Sequence, residues 1–228
     1  VWISEWNNHR VLKFDTSNQK FGGAATVALG QSDLTSDTLG NTATTLRETA
    51  GIDFDSSGNL WVVDRGGHRI LKYPAANLAT GGAATVALGQ SDLTSAAKGI
   101  TATTLKIGEN YNGTSIDFDS SGNLWVADSG NSRILKYPAA NLATGGAATV
   151  ALGQSDLTSA AKGLTATTMK NATSVTFDSS GNLWVADKGN SRILKYPAAN
   201  LATGGAATVA LGQADLTSAV KGTTATTL

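Results

Sequence analysis

The sequence of 228 residues predicts an all-β fold, a β-propeller built of near-identical four-stranded antiparallel blades. Tryptophans in the same local context recur 59, 64 and 59 residues apart, at Trp2, Trp61, Trp125 and Trp184. Each repeat holds four short segments rich in Val, Ile and Thr, separated by turn residues and without a sustained helical period. The second segment is apolar on both faces, so neighbours must cover each small sheet from two sides. Radial stacking of four-stranded sheets meets that demand, whereas a parallel β-helix has shorter coils.

The last repeat shows the predicted elements in order. Its strands are expected at residues 173–178, 182–187, 192–196 and 207–212. The first two are joined by the turn Asp178-Ser-Ser-Gly-Asn182, in which Gly can take a positive φ and Asp or Asn can bond the backbone. A tight turn precedes the third strand, and Pro197 ends that strand and begins a longer loop.

The repeats divide the chain into blade 1 (1–45), blade 2 (46–105), blade 3 (106–169) and blade 4 (170–228). Blade 1 begins at its second strand, so we expect it to lack the innermost one. Repeats near 60 residues exceed the roughly 40–50 usual for propeller blades, and the excess lies in the loop after strand three and in the interblade link. Incomplete rings expose sheet faces. The chain is therefore expected either to be part of a longer propeller or to complete a ring by association, for example as a homodimer.

Composition excludes several classes of partner and site. Seventeen Lys and Arg balance seventeen Asp and Glu, so the formal net charge is zero. A nucleic-acid surface normally shows a basic excess, and no such partner is predicted. No apolar run approaches the roughly 20 residues of a membrane span, so no membrane is predicted either. The absence of cysteine excludes disulfides, thiolate metal sites and a Cys nucleophile. No targeting signal is visible.

Residues 181–196 (GNLWVADKGNSRILKY) resemble the NHL repeat, with a turn Gly, an apolar strand ending in Asp, a Gly-Asn turn, and then Arg-Ile and an aromatic residue. Residues 58–73 and 122–137 share this pattern, and residues 2–14 follow it more loosely. The resemblance implies a β-propeller from a family of interaction modules with a few lyase and sensor members. Zinc-dependent lyases of the family use several convergent histidines, whereas this chain has only His9 and His68, so no metal site is expected.

In each blade an acidic residue ends the second strand and an Arg follows five residues later, across a tight turn. We interpret these pairs as a repeated structural clasp, because an active site is not needed once per blade. The pairs are Asp64 with Arg69, Asp128 with Arg133, and Asp187 with Arg192, and Glu5 with Arg10 takes their place in blade 1. The Asp-Ser-Ser-Gly-Asn turns at 55–59, 119–123 and 178–182 are interpreted as hairpin turns, with a calcium site as the alternative.

Candidate ligand-binding residues are sought where the duplicated repeats differ. The residue after the strand-two acid changes from blade to blade, and an insert unique to one link adds further polar and aromatic residues. Propellers bind through loops gathered at one face, so these positions predict a recognition surface. Its members are Trp6, Arg65, His68, Glu109, Tyr111 and Lys188. Neutral drift at exposed turns is the alternative.

The sequence thus predicts a non-enzymatic binding module, without cofactor, that recognises a protein or glycan. Low charge and loops rich in Thr, Ala, Gly, Ser and Asn resemble secreted or surface-anchored bacterial repeat proteins, which implies an extracellular or cell-surface location. One alternative is a propeller hydrolase or lyase with a site over the central channel, to which the inner strands would contribute Asp53 and Asp117. Another is a structural repeat element of a surface assembly.

Overall fold

A computed structural model describes residues 1–18, 20, 22–108 and 113–228. Within these residues, the strands form one three-stranded and three four-stranded antiparallel sheets, each hydrogen-bonded in chain order. The three-stranded sheet belongs to blade 1, and its strands correspond to the second, third and fourth strands of the other blades. The all-β, propeller-blade prediction is confirmed. No helix among the described residues has the length and apolar character to cross a membrane.

The strands follow the repeat. Blade 1 holds β1 (Trp2–Glu5), β2 (Arg10–Lys13) and β3 (Val27–Leu29). Blade 2 holds β4 (Thr49–Phe54), β5 (Leu60–Asp64), β6 (Arg69–Tyr73) and β7 (Val86–Leu88). Blade 3 holds β8 (Ile116–Phe118), β9 (Leu124–Asp128), β10 (Arg133–Tyr137) and β11 (Val150–Leu152). Blade 4 holds β12 (Ala172–Phe177), β13 (Leu183–Asp187), β14 (Arg192–Tyr196) and β15 (Val209–Leu211).

Short 3-10 helices occupy parts of the turns and loops that the sequence patterns left as coil. They span Thr16–Asn18, Ala75–Asn77, Ser129–Asn131, Ala139–Asn141, Lys188–Asn190 and Ala198–Asn200. Three of them directly follow a proline, as at Pro197, whose φ of −57° suits the residue before a helical turn. In blades 2 to 4 the loop after strand three is closed by an asparagine of its own, whose Nδ2 donates at 2.8–2.9 Å to the carbonyl six residues later, at Asn77, Asn141 and Asn200.

The described chain divides into two compact units. The first comprises Val1–Ala97 and Ala143–Gly145 and contains the sheets of blades 1 and 2. The second comprises Lys98–Leu142 and Gly146–Leu228 and contains the sheets of blades 3 and 4.

Each unit has an apolar core between its two sheets. In the first unit, Val11 and Leu29 of blade 1 join a buried cluster with residues of blade 2 that include Leu60, Val62 and Leu71. In the second, Trp125, Ile134, Leu152 and Met169 of blade 3 join a cluster with residues of blade 4, namely Ala172, Val175, Leu183, Val185, Leu194, Tyr196 and Ala207. Strands β5 and β9 are buried along their full length, as predicted for a second strand covered on both faces.

Candidate functional site

The Asp-Ser-Ser-Gly-Asn turns are closed by their first residue. In blade 2, Asp55 accepts hydrogen bonds from the backbone N–H groups of Ser57 and Asn59, both at 3.0 Å, and from the Asn59 amide. Trp61 Nε1 donates to Asp55 Oδ2 at 2.9 Å, which fixes the indole of the second strand. Asp119 and Asp178 make the same bonds, including those from Trp125 and Trp184 at 3.0 Å. Sequence analysis missed this Asp–Trp contact, although its constant spacing of six residues could have indicated it.

These contacts set the charge state of the turn carboxylates. Burial alone would raise the pKa of Asp119, but hydrogen bonds from Trp125 and Asn123 hold that pKa below its ordinary value. In blade 4, hydrogen bonds from Asn182 and Trp184 lower the pKa of Asp178. The lone pairs of these carboxylates are taken up by donors of their own turn. Among the described residues, no three His, Asp or Glu side chains lie where they could share a metal ion.

A cavity of about 380 Å³ lies between two of these turns in the second unit. Phe177 and Leu201 supply apolar walls, and Ser120, Ser121 and Ser179 contribute hydroxyl groups. The carboxylates of Asp119 and Asp178 also line it, but they are engaged within their own turns. The cavity thus offers serine hydroxyls and an aromatic ring to a small molecule.

The strand-two acids and their arginines lie in contact across the tight turn. Arg69 Nε donates to Asp64 Oδ2 at 2.6 Å, and both side chains are fully buried. The corresponding distance is 2.7 Å for Arg133 with Asp128, and for Arg192 with Asp187. In blade 1, Arg10 Nε donates to Glu5 Oε2 at 2.5 Å.

The same arginines also hold the interblade links. Arg69 donates through its remaining nitrogens to the backbone carbonyls of Thr42, Thr45 and Leu93. Burial raises the pKa of Asp64 to about 6, against the lowering effect of Arg69. Because no part of either side chain reaches solvent, this pair is closed to any ligand.

Each link is folded around a glutamine that sequence analysis did not single out. Gln154 Nε2 donates to the carbonyls of Ser132 at 2.9 Å and Ala161 at 2.8 Å, and its Oε1 accepts the Ala161 N–H at 3.0 Å. Equivalent bonds are made by Gln31, Gln90 and Gln213. The part of each link around this glutamine therefore has the same hydrogen-bonded fold in all four blades.

The residue before the repeat's Arg has a left-handed backbone in all four blades. The φ values are 51° at His9, 49° at His68, 53° at Ser132 and 49° at Ser191. His is among the residues that tolerate this region better than most. His9 Nδ1 accepts the backbone N–H of Glu48 at 3.1 Å, so this imidazole serves the contact between blades 1 and 2.

Two of the predicted ligand-binding residues meet in the first unit. The guanidinium of Arg65, on the blade 2 turn, lies 4.8 Å from the ring centroid of Trp6, on the blade 1 turn. Arg65 also pairs with Glu48, with 3.2 Å between Nη2 and Oε2. Its side chain is 11% exposed, whereas that of Glu48 is 34% exposed. Trp6 is half-buried. An aromatic ring, a guanidinium and a partly exposed carboxylate are thus gathered at the turns of two neighbouring blades.

The structure does not bring the other predicted ligand-binding residues to this cluster. His68 is buried beside the clasp, at 5% exposure. Lys188 lies exposed on the blade 4 turn in the second unit. Glu109 and Tyr111 lie outside the described residues. Ser129, at the equivalent position in blade 3, is buried and accepts the Gly108 N–H at 2.8 Å.

The inner-strand aspartates proposed for a channel site serve backbone contacts. Asp53 Oδ1 accepts the N–H of Phe54 at 2.8 Å. Asp117 Oδ2 accepts the N–H of Phe177 at 2.9 Å and so joins the inner strands of blades 3 and 4. Each carboxylate therefore takes part in the sheet that carries it or in its contact with the next sheet.

Comparison with protein families agrees with the turn and strand pattern. The NHL repeat model matches residues 114–137 and 170–196, which contain the clasp and the Asp–Trp contact of blades 3 and 4. The chain contains NHL repeats. The two matched NHL repeats include the first three strands of each blade, and the links between the blades lie outside them. No curated protein matches the sequence.

Solved structures with the same fold include enzymes. Virginiamycin B lyase from Staphylococcus aureus aligns with a TM-score of 0.52 at 14% identity, over 93% of this chain and 52% of the lyase. A streptogramin B lyase structure gives 0.50 at 15% identity, over 86% and 47%. A protein of unknown function from Bacteroides thetaiotaomicron gives 0.58 at 14% identity, over 96% and 46%. The chain thus spans about half the length of these proteins, and the likeness is one of fold.

These matches correct one prediction. Sequence analysis expected a chain that is not an enzyme, and that expectation is contradicted because lyases stand among the solved structures with this fold. An NHL propeller of this kind is compatible with catalysis, so its fold gives no ground for excluding an enzyme.

Proposed function

We propose that this NHL-repeat chain binds a glycan, and that Trp6, Glu48 and Arg65 form the binding surface in its first unit. The observation that carries the proposal is the stacking of Arg65 on Trp6, 4.8 Å from the ring centroid. This stack lies at the turn position where the near-identical repeats differ from one another.

The chemistry of the three groups suits a sugar. An indole ring offers an apolar face to the C–H groups of a pyranose, and its amphipathic character suits a half-wet surface. A guanidinium has five N–H donors. One nitrogen of Arg65 is engaged with Glu48, and the others can donate to sugar hydroxyls. The carboxylate of Glu48 is exposed enough to accept from a hydroxyl.

Charge favours a neutral ligand. Arg65 and Glu48 compensate each other locally, and the chain has a formal net charge of zero. The chain therefore has no net charge that would attract polyanions or polycations. Neutral oligosaccharides fit these groups better than phosphorylated or sulfated ones.

Titration calorimetry against a panel of neutral oligosaccharides built from glucose, galactose, mannose or xylose tests the proposal. We expect at least one to bind, with affinity lowered tenfold or more by Trp6→Ala and by Arg65→Met. Trp6→Phe, which retains an aromatic ring, should lose less affinity than Trp6→Ala. Asp37→Ala is the control, because Asp37 is exposed on a link of the same unit. It should bind like the unchanged chain.

Mass spectrometry of each sugar after incubation shows in the same experiment whether it is converted. Binding unaffected by Trp6→Ala and Arg65→Met in folded protein would contradict the proposed surface. Failure of every neutral sugar to bind would contradict the proposed ligand class.

A further inference from the structure

The cavity between the hairpin turns of blades 3 and 4 has a negatively charged lining. Asp119 of one turn and Asp178 of the other line it, and they are the only charged side chains among the described residues that do so. Both carboxylates are ionised at neutral pH, because hydrogen bonds from their own turns hold each pKa below its ordinary value, for Asp119 against the opposing effect of burial. The electrostatic field of the lining therefore favours a cation.

The oxygens of these carboxylates are already hydrogen-bonded within their turns. Asp119 Oδ1 accepts the backbone N–H groups of Ser121 and Asn123, both at 3.0 Å, and its Oδ2 accepts the Trp125 indole N–H at 3.0 Å. Asp178 makes the same bonds in blade 4. Such bonds stabilise the negative charge and do not neutralise it. A metal ion or a primary ammonium group would compete for these oxygens, whereas a cation without N–H groups needs only the field and apolar contact.

The walls of the cavity suit such a cation. Phe177 and Leu201 supply apolar surface, and the face of an aromatic ring attracts alkylammonium ions. The ring of Phe177 makes an edge-to-face contact with Trp125, with 5.8 Å between the ring centroids. Its backbone N–H is held by Asp117 Oδ2 at 2.9 Å. The ring is therefore placed by the fold before any ligand arrives.

The same two blades already place ammonium groups over aromatic rings beside these turns. Lys136 Nζ lies 5.5 Å from the ring centroid of Trp125, and Lys195 Nζ lies 5.3 Å from that of Trp184. Neither lysine lines the cavity, and both are partly exposed to water, which screens their charge. A cation against Phe177 would repeat this arrangement of ammonium, aromatic ring and turn carboxylate inside the cavity.

Size and hydroxyl groups narrow the ligand further. A volume of about 380 Å³ lies within the range of small-molecule sites and accommodates a trimethylammonium head with a short arm. Ser120, Ser121 and Ser179 line the cavity, and a serine hydroxyl can both donate to and accept from an alcohol. The arm of the ligand should therefore carry a hydroxyl group.

We propose that this cavity binds a quaternary ammonium alcohol of the choline class. The cationic head lies against Phe177 between Asp119 and Asp178, and the alcohol bonds the serine hydroxyls. The ligand class differs from the neutral sugar proposed at Trp6, and the two sites lie in different units of the chain. Neither proposal rests on the other.

A titration with choline chloride, followed by the indole N–H resonances, tests the proposal. Those of Trp125 and Trp184 should shift to saturation, because both indoles donate to carboxylates of the lining. Trp61 makes the same bond to Asp55 in the first unit and should stay in place. Sodium chloride controls for ionic strength. The uncharged carbon analogue of choline, with a tert-butyl group in place of trimethylammonium, should require a concentration at least about tenfold higher for the same shift.

Three variants separate the charge and the ring from the rest of the turn. Ser179→Lys adds a positive charge to the lining and should weaken choline binding about tenfold or more. Ser56→Lys is the matched control, because Ser56 has the same position in the blade 2 turn and is likewise exposed. It should bind choline like the unchanged chain. Phe177→Leu keeps an apolar wall without the ring and should weaken binding about threefold or more. Thermal melts of each variant verify folding.

Three results would overturn the proposal. Choline that produces no saturable shift of Trp125 or Trp184 would show that the cavity does not take this ligand. An equal response to the uncharged analogue would show an apolar site rather than a cation site. Full affinity in folded Ser179→Lys would place choline elsewhere on the chain. Sugar binding is reported by Trp6, so failure of one proposal is distinguishable from failure of the other.

Discussion

His9 and Glu48 are joined across the boundary between two blades by one hydrogen bond, from the Glu48 N–H to His9 Nδ1 at 3.1 Å. In the second unit, Ser132 Oγ accepts the N–H of Asn171 at 3.2 Å in the same place. Both donors have left-handed backbones, with φ of 62° at Glu48 and 52° at Asn171. An imidazole and a hydroxyl thus accept the same backbone hydrogen bond from the next blade, at equivalent positions of the repeat.

Replacing His9 tests this equivalence. His9→Ser should keep an acceptor for the Glu48 N–H and remain close to the unchanged stability, because Ser132 shows that a hydroxyl suffices. His9→Ala should lower the free energy of unfolding by about 1 kcal/mol, since the N–H loses its partner. Urea unfolding of both variants measures the difference. Equal loss in the two would show that the imidazole itself is needed.

The buried tyrosines of the third strands offer a stabilising change. The hydroxyls of Tyr73, Tyr137 and Tyr196 have no hydrogen-bond partner among the described residues. Burial raises the pKa of each of these phenols. Blade 1 has Phe14 at the same position.

We expect Tyr73→Phe to leave the free energy of unfolding unchanged or to raise it by up to about 1 kcal/mol, because it removes a desolvated polar group. Chemical denaturation of the single variant and of the triple variant measures this. A loss of more than about 1 kcal/mol for Tyr73→Phe would reveal a hydrogen bond to the hydroxyl.

A compensating pair in blade 2 predicts non-additive substitutions. Blade 3 has Asn131 in its turn, donating to Asp128 at 2.8 Å, and Ile100 in the preceding link. Blade 2 has Gly67 and Asn41 at these positions. A Cβ on Gly67 would lie 2.7 Å from Asp64 Oδ2, 2.9 Å from Arg69 Nε and 3.1 Å from Asn41 Oδ1, so a side chain there would crowd the buried ion pair and also Asn41.

Gly67→Asn alone should therefore destabilise the protein by about 1–3 kcal/mol through overpacking. Adding Asn41→Ile should recover part of that loss, with a coupling of about 0.5 kcal/mol or more, as expected for residues in contact. A double-mutant cycle from urea unfolding measures it. Strict additivity would mean that the two positions do not share one space.

Acid sensitivity should depend on the hairpin-turn carboxylates. Burial would raise the pKa of Asp55, but hydrogen bonds from Trp61 and Asn59 hold it below its ordinary value. A carboxyl whose pKa is lower in the folded chain stabilises the fold above its unfolded pKa of about 4, and this contribution is lost as the pH falls through the folded pKa.

The Asp55→Asn variant should therefore be less stable than the unchanged chain at pH 7. At pH 3 the difference in stability between the two proteins should be smaller. The buried Asp64, whose pKa is raised, acts in the opposite sense, but it is common to both proteins and cancels in their difference. Melting temperatures at the two pH values give the comparison. A gap that stays constant would show that Asp55 titrates alike in the folded and unfolded chains.

Much of the architecture could be predicted because the same sequence pattern recurs in each of the four blades. Four tryptophans in one context fixed the unit, and Pro197 with the Gly-rich turns separated the strands. The spacing of five residues between Asp64 and Arg69 indicated a pair, and the two side chains lie 2.6 Å apart. Such contacts are local in sequence, so a pattern of short spacings is enough to find them.

Contacts between residues that are far apart in the sequence could not be predicted from such short spacings. The stack of Arg65 on Trp6 and the bond from Glu48 to His9 join residues of different blades. The role of Gln154 depends on the fold of a link that has no periodic pattern. Sequence analysis grouped Trp6 and Arg65 only because both vary, and it did not include Glu48.

The central claim, a sugar site at Trp6, is tested most directly by following the indole N–H resonances during a titration with the neutral oligosaccharide that binds in calorimetry. The indoles of Trp61, Trp125 and Trp184 are fixed by Asp55, Asp119 and Asp178 and serve as internal references. We predict that the Trp6 resonance shifts with saturation while those three stay in place. A Trp6 signal that does not move while those of Trp125 and Trp184 shift would contradict the account and place the sugar in the cavity lined by Asp119 and Asp178.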